Sequence, residues 1–134
     1  MIVVDASAAV SVLLGFEPVA SQIRERLWRE NPNEPVHVPH IFDIEVLQAL
    51  RRHATRGELS ESRGNTALDE LSSLRAIRYP HFPLLRRIWE LRHNLTSYDA
   101  AYVALAESLD APLVTMDARL AQAAGIRAAI ELYR

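Results

Sequence analysis

Four acidic residues in this sequence stand where carboxylates can do chemistry. Asp5 follows the apolar run MIVV and Asp117 follows LVTM, so each comes directly after a predicted strand. Asp99 lies at the start of a predicted helix, and Glu45 lies within another. Oxygen ligands without cysteine or a histidine pair suit Mg²⁺ or Mn²⁺, and such ions activate water and hold the oxygens of a phosphodiester. The set predicts a metal-dependent nuclease or phosphatase.

Each of these acidic residues also has a structural interpretation. Asp5 and Asp117 precede predicted helices, where aspartate commonly caps the first turn. Asp99 falls three residues after Thr96, in a capping-box pattern. Glu45 has no basic residue three or four positions away, and an unpaired carboxylate near a core is costly, although a solvated surface glutamate stays open as an alternative. The four residues together indicate a site more strongly than any one of them.

The basic residues exclude several classes of enzyme. All 15 are arginine, and the chain has no lysine and no cysteine. P-loop nucleotide hydrolysis and Schiff-base chemistry both require lysine, and a thiol nucleophile requires cysteine. A phosphoaspartate enzyme of the haloacid-dehalogenase type needs a lysine and a D-x-D motif, and Ser7 stands at the position of its second aspartate. The receiver domains are excluded by the same missing lysine.

The absence of cysteine is consistent with a reducing compartment. The apolar N-terminus has no basic leader and is interrupted by Asp5, and no apolar run reaches the ~18 residues of a membrane span. We therefore expect a cytoplasmic protein without a membrane association.

Predicted strands and helices alternate along the chain. Strands are expected at 1–4, 36–38, 76–79, 112–115 and 126–132, and helices at 6–14, 18–30, 41–56, 60–74, 83–94, 97–109 and 117–124. This order is typical of a single α/β domain, over residues 1–134, with a mostly parallel sheet of about four or five short strands and helices on both faces. Ligands of such sheets bind beyond the carboxyl ends of the strands, where Asp5 and Asp117 are expected.

Three segments of the chain resemble the PIN-domain ribonucleases, and most closely the VapC toxins of VapBC toxin–antitoxin systems. They read MIVVDASAAV, IFDIEVLQAL and LTSYDAAYVALAESLDAPLVTMDARLA, and the last is the most specific. The resemblance implies a PIN-like fold and a toxic Mg²⁺-dependent endoribonuclease, with Mn²⁺ as a substitute ion. It further implies a homodimer that is neutralised by a cognate VapB-like antitoxin.

The same resemblance assigns catalysis and metal binding to the four acidic residues, with Asp5 and Asp99 as the direct ligands. Thr115 and Ser7 match positions that steady this acidic cluster. Asp43 points to a different face of its helix from Glu45 and is expected outside the site.

Arginines are the expected contacts to RNA, because a planar guanidinium binds phosphate well. Arg119, two residues after Asp117, is the best placed, and the other candidates are Arg51, Arg52 and Arg56, which follow Glu45 on the same helix, and Arg92. A solvated surface role is the alternative for each. A second candidate function for the whole chain is a non-catalytic PIN-fold module that binds RNA or protein. Metal-dependent cleavage that EDTA abolishes distinguishes the two functions.

Overall fold

A five-stranded parallel sheet forms the centre of the structure, a computed structural model that describes residues 1–134. The strands are β1 (Val3–Val4), β2 (Val36–Pro39), β3 (Ala76–Tyr79), β4 (Leu113–Thr115) and β5 (Ile130–Leu132). They lie in the order β3-β2-β1-β4-β5, and every neighbouring pair is parallel. The predicted parallel sheet is confirmed.

Seven helices connect and cover the strands. They are α1 (Ala6–Leu14), α2 (Val19–Trp28), α3 (Ile41–Thr55), α4 (Glu61–Ser73), α5 (Leu85–Glu90), α6 (Ser97–Leu109) and α7 (Ala118–Gln122). No single one is long and apolar enough to span a membrane, and α1 and α2 reach that composition only jointly, across a bend of 111°.

The core lies on both faces of the central strand. Val3 and Val4 point to opposite faces and are both buried, so helices cover the sheet on each side, as the sequence predicts. The most deeply placed helix is α6, in which all residues from Ala100 to Ala106 are buried. A helix that is buried over two turns forms a firm support for side chains at its N-terminal end.

The strand order brings two of the acidic residues together. From β1 the chain moves outward through β2 and β3, and it then returns to the other side of β1 with β4. The direction in which successive strands are added to the sheet therefore reverses between β1 and β4. Ligands of open parallel sheets bind at such a switch point, beyond the carboxyl ends of the strands. Asp5 directly follows β1, and Asp117 lies two residues after β4.

Several predicted elements are shorter in the structure, and two of them differ most. The helix expected at 83–94 is a 3₁₀ turn, Phe82–Leu84, followed by α5, and the chain then continues in turns in which the Asn94 side chain donates to the Ala124 carbonyl. The strand expected from residue 126 begins at Ile130, because the Arg127 amide donates to the Glu107 carboxylate and not to a neighbouring strand.

Candidate active site

Asp5 is held in one orientation at the end of β1. Its Oδ1 accepts hydrogen bonds from the Ala8 amide (3.0 Å) and the Ser7 hydroxyl (2.6 Å), and its Oδ2 accepts one from the Thr115 hydroxyl. The side chain is only 6% exposed. Asp5 is therefore the N-cap of α1 and also the most deeply buried of the four acidic residues. The cap interpretation and the site interpretation both apply to it.

Ser7 and Thr115 join the loop after β1 to the loop after β4. The Ser7 hydroxyl oxygen accepts from the Met116 amide, and the Thr115 hydroxyl oxygen accepts from the Asp117 amide, both at 3.0 Å. Because the same two hydroxyls donate to Asp5, they fix the position of one carboxylate relative to the backbone that carries another. Asp117 in turn caps α7 by accepting from the Arg119 amide.

Glu45 extends from α3 towards α6, where its Oε1 accepts a hydrogen bond of 2.6 Å from the Tyr102 hydroxyl. The first turn of α6 carries Asp99, whose amide donates to the Thr96 hydroxyl oxygen at 3.2 Å, so Thr96 is the N-cap of α6. Tyr102 lies three residues after Asp99, on the same side of that helix. Both α3 and α6 therefore bring one acidic residue to the end of the sheet.

All four predicted acidic residues line one cavity of about 220 Å³. The remaining lining residues that carry polar side chains are Ser7, Gln48, Arg52 and Tyr102. No group of three or more acidic or histidine side chains is arranged to hold one ion jointly in this conformation. The structure thus brings the predicted carboxylates to the same cavity without a preassembled cage of ligands.

Asp5, Glu45 and Asp99 resist ionisation in this cavity. Burial is the main cause that raises the pKa of Asp5, and the Asp99 charge raises it further, against the three hydrogen bonds that stabilise the anion. Burial likewise raises the pKa of Glu45, and the charges of Asp99 and Asp5 add to the effect. The pKa of Asp99 is raised by burial and by the Asp117 charge. Negative charge in this cavity is therefore under-compensated, which is the condition that favours a bound cation.

The hydroxyl of Tyr102 shares this environment. Burial, together with the hydrogen bond to Glu45, raises the pKa of the phenol far above its usual range. The phenol is therefore a permanent donor to the carboxylate.

Four of the predicted RNA-contacting arginines, Arg51, Arg56, Arg92 and Arg119, lie outside the cavity. Arg51 is exposed on α3, and the Arg92 guanidinium stacks on the Trp89 ring at 4.4 Å. Arg119 lies 3.6 Å from Asp117, but its side chain is 93% exposed. The basic residue that lines the cavity is Arg52. Asp43 forms an ion pair with Arg78 and is absent from the cavity lining, as expected.

Two cavity residues, Gln48 and Tyr102, were not predicted as site residues from the sequence. Gln48 follows Glu45 by three positions, which places it on the same face of the helix, and this spacing could have identified it. Tyr102 lies at the spacing of the apolar face of α6, so the sequence predicts it as a core residue and gives its hydroxyl no role. The position of Tyr102, one turn after Asp99, is the sequence signal that marks it.

Comparison with known proteins identifies the family. The PIN domain model matches residues 2–126. Ribonuclease VapC1 of Mycobacterium tuberculosis is 47% identical over 133 residues, covering 98% of this chain and 97% of that protein. Ribonuclease VapC12 of the same species is 43% identical over 132 residues, covering 98% of each chain.

The fold has a solved counterpart. The crystal structure of VapBC2 from Rickettsia felis, bound to a DNA fragment from its promoter, superposes with a TM-score of 0.70 at 16% identity and covers 100% of both chains. At that identity the likeness concerns the fold. The family model and the two relatives show similarity at the level of sequence as well. The chain therefore belongs to the PIN-domain family and, within it, to the VapC proteins.

Proposed function

We propose that this protein is a toxin of the VapC type, a metal-dependent endoribonuclease that hydrolyses RNA phosphodiester bonds. The observation that supports this most directly is the convergence of Asp5, Glu45, Asp99 and Asp117 on one cavity at the switch point of the sheet. Both sequence relatives named above carry the name ribonuclease, and their alignments cover almost the whole chain.

The donor chemistry of the cavity suits Mg²⁺, with Mn²⁺ as a substitute. All four candidate ligands are carboxylates. Burial, and after it the charge of acidic neighbours, raises the pKa of Asp5, Glu45 and Asp99, so a bound cation would stabilise their ionised forms. Mg²⁺ keeps several of its waters and is usually bound through one or two carboxylates, so it needs no cage of three or more side chains. Asp5 and Asp99 are the proposed principal ligands, and Glu45 and Asp117 are the further metal-binding carboxylates beside them. A bound ion would supply the positive charge that offsets the charge developing on the phosphate during the reaction.

The residues of the chain have separate tasks in this hydrolysis. Ser7 and Thr115 hold Asp5 in one orientation, so that little reorganisation accompanies the reaction. One of the cavity carboxylates would act as the general base and accept a proton from the attacking water. The water oxygen bonds to phosphorus while the bond to the 3′ oxygen breaks, and the proton that this oxygen takes up completes a 3′-hydroxyl beside a 5′-phosphate. These products are what the family resemblance implies.

Arg52 is the proposed contact to the RNA backbone within the cavity. None of the salt bridges in the structure involves Arg52, so its guanidinium is available to a phosphate. Arg119 lies at the rim of the cavity and is a second candidate, because it is highly exposed and only 3.6 Å from Asp117. Arg51 and Arg92 stay predictions as peripheral contacts.

The proposal includes two protein partners, an antitoxin and a second copy of this chain. A cognate antitoxin of the VapB type is proposed to neutralise the enzyme, and the solved fold counterpart is itself part of a VapBC complex. A homodimer is proposed as well, supported by the exposed aromatic side chains Phe82 and Trp89 near an apolar groove between α5 and α6. Action in the cytoplasm, on cellular RNA, is part of the same proposal. Analytical ultracentrifugation of the purified protein tests the dimer.

RNA cleavage by the purified protein tests the proposed activity. We expect cleavage of single-stranded RNA with Mg²⁺ or Mn²⁺, no cleavage in EDTA, and recovery when the metal is restored. Asp99→Asn should lower the rate by at least about 100-fold while the circular dichroism spectrum stays unchanged, since it removes a proposed ligand.

Asp110→Asn is the matched control. Asp110 lies at the opposite end of α6, at φ 50°, in a left-handed conformation that asparagine adopts readily. It should therefore cleave RNA at the wild-type rate. Wild-type protein that binds RNA but never cleaves it, with either metal, would contradict the proposal and favour the non-catalytic binding module.

A further inference from the structure

Tyr102 is an unusual residue in the interior of α6. The residues from Ala100 to Ala106 are all buried, and Tyr102 is the one among them with a polar side chain. It is 2% exposed, yet it lines the acidic cavity and its hydroxyl is 2.6 Å from Glu45 Oε1. A buried phenol in a helix core needs a partner for its hydroxyl, and the partner here is a cavity carboxylate.

Glu45 depends on this contact for its orientation. The carboxylates of Asp5 and Asp117 accept hydrogen bonds from backbone amides of their own loops, whereas that of Glu45 is bonded to Tyr102 alone. A glutamate has three rotatable bonds, and fixing them costs free energy that a ligand must otherwise supply. The Tyr102 ring is fixed by packing, and because the hydrogen bond occupies Oε1, Oε2 stays available to a ligand.

The position of Tyr102 on α6 connects two of the proposed ligands. Asp99 lies one turn earlier on the same helix, so a single rigid element carries one acidic residue and holds another that comes from α3. The charges of Asp99 and Asp5 oppose ionisation of Glu45, and a donor at the Glu45 carboxylate offsets part of this repulsion. Partners of this kind, which act through a ligand, set the geometry of metal sites.

We propose that Tyr102 is a positioning residue of the metal site, which orients the Glu45 carboxylate towards a divalent cation. This inference rests on the proposed function, because it concerns the same cavity. It extends that function by adding a residue outside the four acidic positions and by stating how it acts, through Glu45 and without contact to RNA.

Binding of Mn²⁺ to the RNA-free protein, followed by electron paramagnetic resonance, tests this role without reference to activity. Tyr102→Phe should weaken Mn²⁺ binding by about 10- to 100-fold, the usual cost of losing a partner of a metal ligand. In the Glu45→Gln background the same substitution should have little further effect, because the carboxylate that it orients is gone. Circular dichroism and thermal midpoints establish folding, and Tyr102→Met, which also lacks the hydroxyl, serves as a second variant should the phenylalanine variant prove unstable.

Tyr79→Phe is the matched control, since Tyr79 also has a hydroxyl bonded to one side chain, His37 at 2.7 Å, but lies away from the cavity lining. It should lose some stability and keep wild-type Mn²⁺ affinity. Unchanged Mn²⁺ affinity in Tyr102→Phe, or a loss that simply adds to that of Glu45→Gln, would overturn the inference while leaving the proposed function intact. Wild-type protein that neither binds Mn²⁺ nor cleaves RNA would overturn both.

Discussion

Replacing Asp5 by asparagine should abolish RNA cleavage and at the same time stabilise the metal-free protein. The substitution nearly conserves size and keeps one oxygen for the hydrogen bonds from Ser7 and the Ala8 amide. Asparagine is also a good N-cap, so α1 keeps its start. What the substitution removes is a charge that is 6% exposed and has acidic neighbours.

The sign of the stability change follows from the raised pKa of Asp5. The folded protein holds the Asp5 proton more tightly than the unfolded chain does, so the wild type loses stability as the pH rises from about 4, the ordinary aspartate pKa, through the folded-state pKa. The asparagine variant has no such proton. Its advantage is therefore absent at pH 3, grows above pH 4 and is constant once the folded-state carboxyl has ionised.

The magnitude comes from the balance at this side chain. Burial outweighs three hydrogen bonds, so the folded protein disfavours the ionised side chain, and the desolvation of one buried polar group costs about 1–3 kcal/mol. The Thr115 hydroxyl must find a new acceptor in the variant, which offsets part of the gain. We therefore expect a net gain of about 1–2 kcal/mol near neutral pH, or roughly 3–8 °C in the thermal midpoint of a domain of this size.

Urea unfolding in EDTA from pH 3 to pH 8 measures this gain. Saturating Mg²⁺ should then reverse the order, since a ligand at 100 times its Kd stabilises the wild type by ~2.7 kcal/mol and the variant by much less. Asp43→Asn is the control, because it makes the same change in an exposed pair with Arg78 and should cost no more than about 1 kcal/mol at full activity. An Asp5→Asn variant that is less stable than wild type at neutral pH in EDTA would refute the electrostatic reasoning, and one that cleaves RNA normally would refute the role of Asp5.

Three further predictions concern other residues. Arg52→Ala should weaken RNA binding about tenfold and lower the slope of log affinity against log salt by roughly 1 in a filter-binding titration. Arg75→Ala, at an exposed position directly before β3 and outside the cavity lining, should change little, and equal effects of the two substitutions would remove Arg52 from the substrate contact. Thr115→Val removes a donor to Asp5 and an acceptor for the Asp117 amide, so urea unfolding should show a loss of about 1–3 kcal/mol and cleavage assays a lower rate; wild-type values in both would contradict the network. Arg87→Ala breaks a mostly buried ion pair with Glu107 and should lower the free energy of unfolding by about 2–4 kcal/mol. The loss should appear above pH ~4, because the hydrogen bonds to the Glu107 carboxylate lower its pKa against the effect of burial, and an unchanged urea midpoint at pH 7 would be inconsistent with this.

Local sequence features determine where most helices and strands of this protein begin and end. Apolar runs before Asp5 and Asp117, the capping residues Ser60 and Thr96, and Gly15 in a left-handed helix stop are all local features, and the structure has the corresponding strand ends, caps and C-cap. Alternation of strands and helices was sufficient to predict a parallel sheet, because parallel strands need crossover connections. The ends of an element could not be predicted from local sequence where the backbone forms hydrogen bonds to residues far away in the chain. The late start of β5 is an example, because the Arg127 amide donates to Glu107.

The identities of the four acidic residues were likewise readable from the chain, but their meeting at one cavity was not. Asp5 and Asp117 are 112 positions apart in sequence, and only the strand order places β1 beside β4. The pairing of Tyr102 with Glu45 and the entry of Arg52 in place of Arg51 depend on how α3 packs near α6. Periodicity predicts which face of a helix is apolar, but the identity of the opposing group, and hence the cost of burying a charge there, depends on tertiary packing.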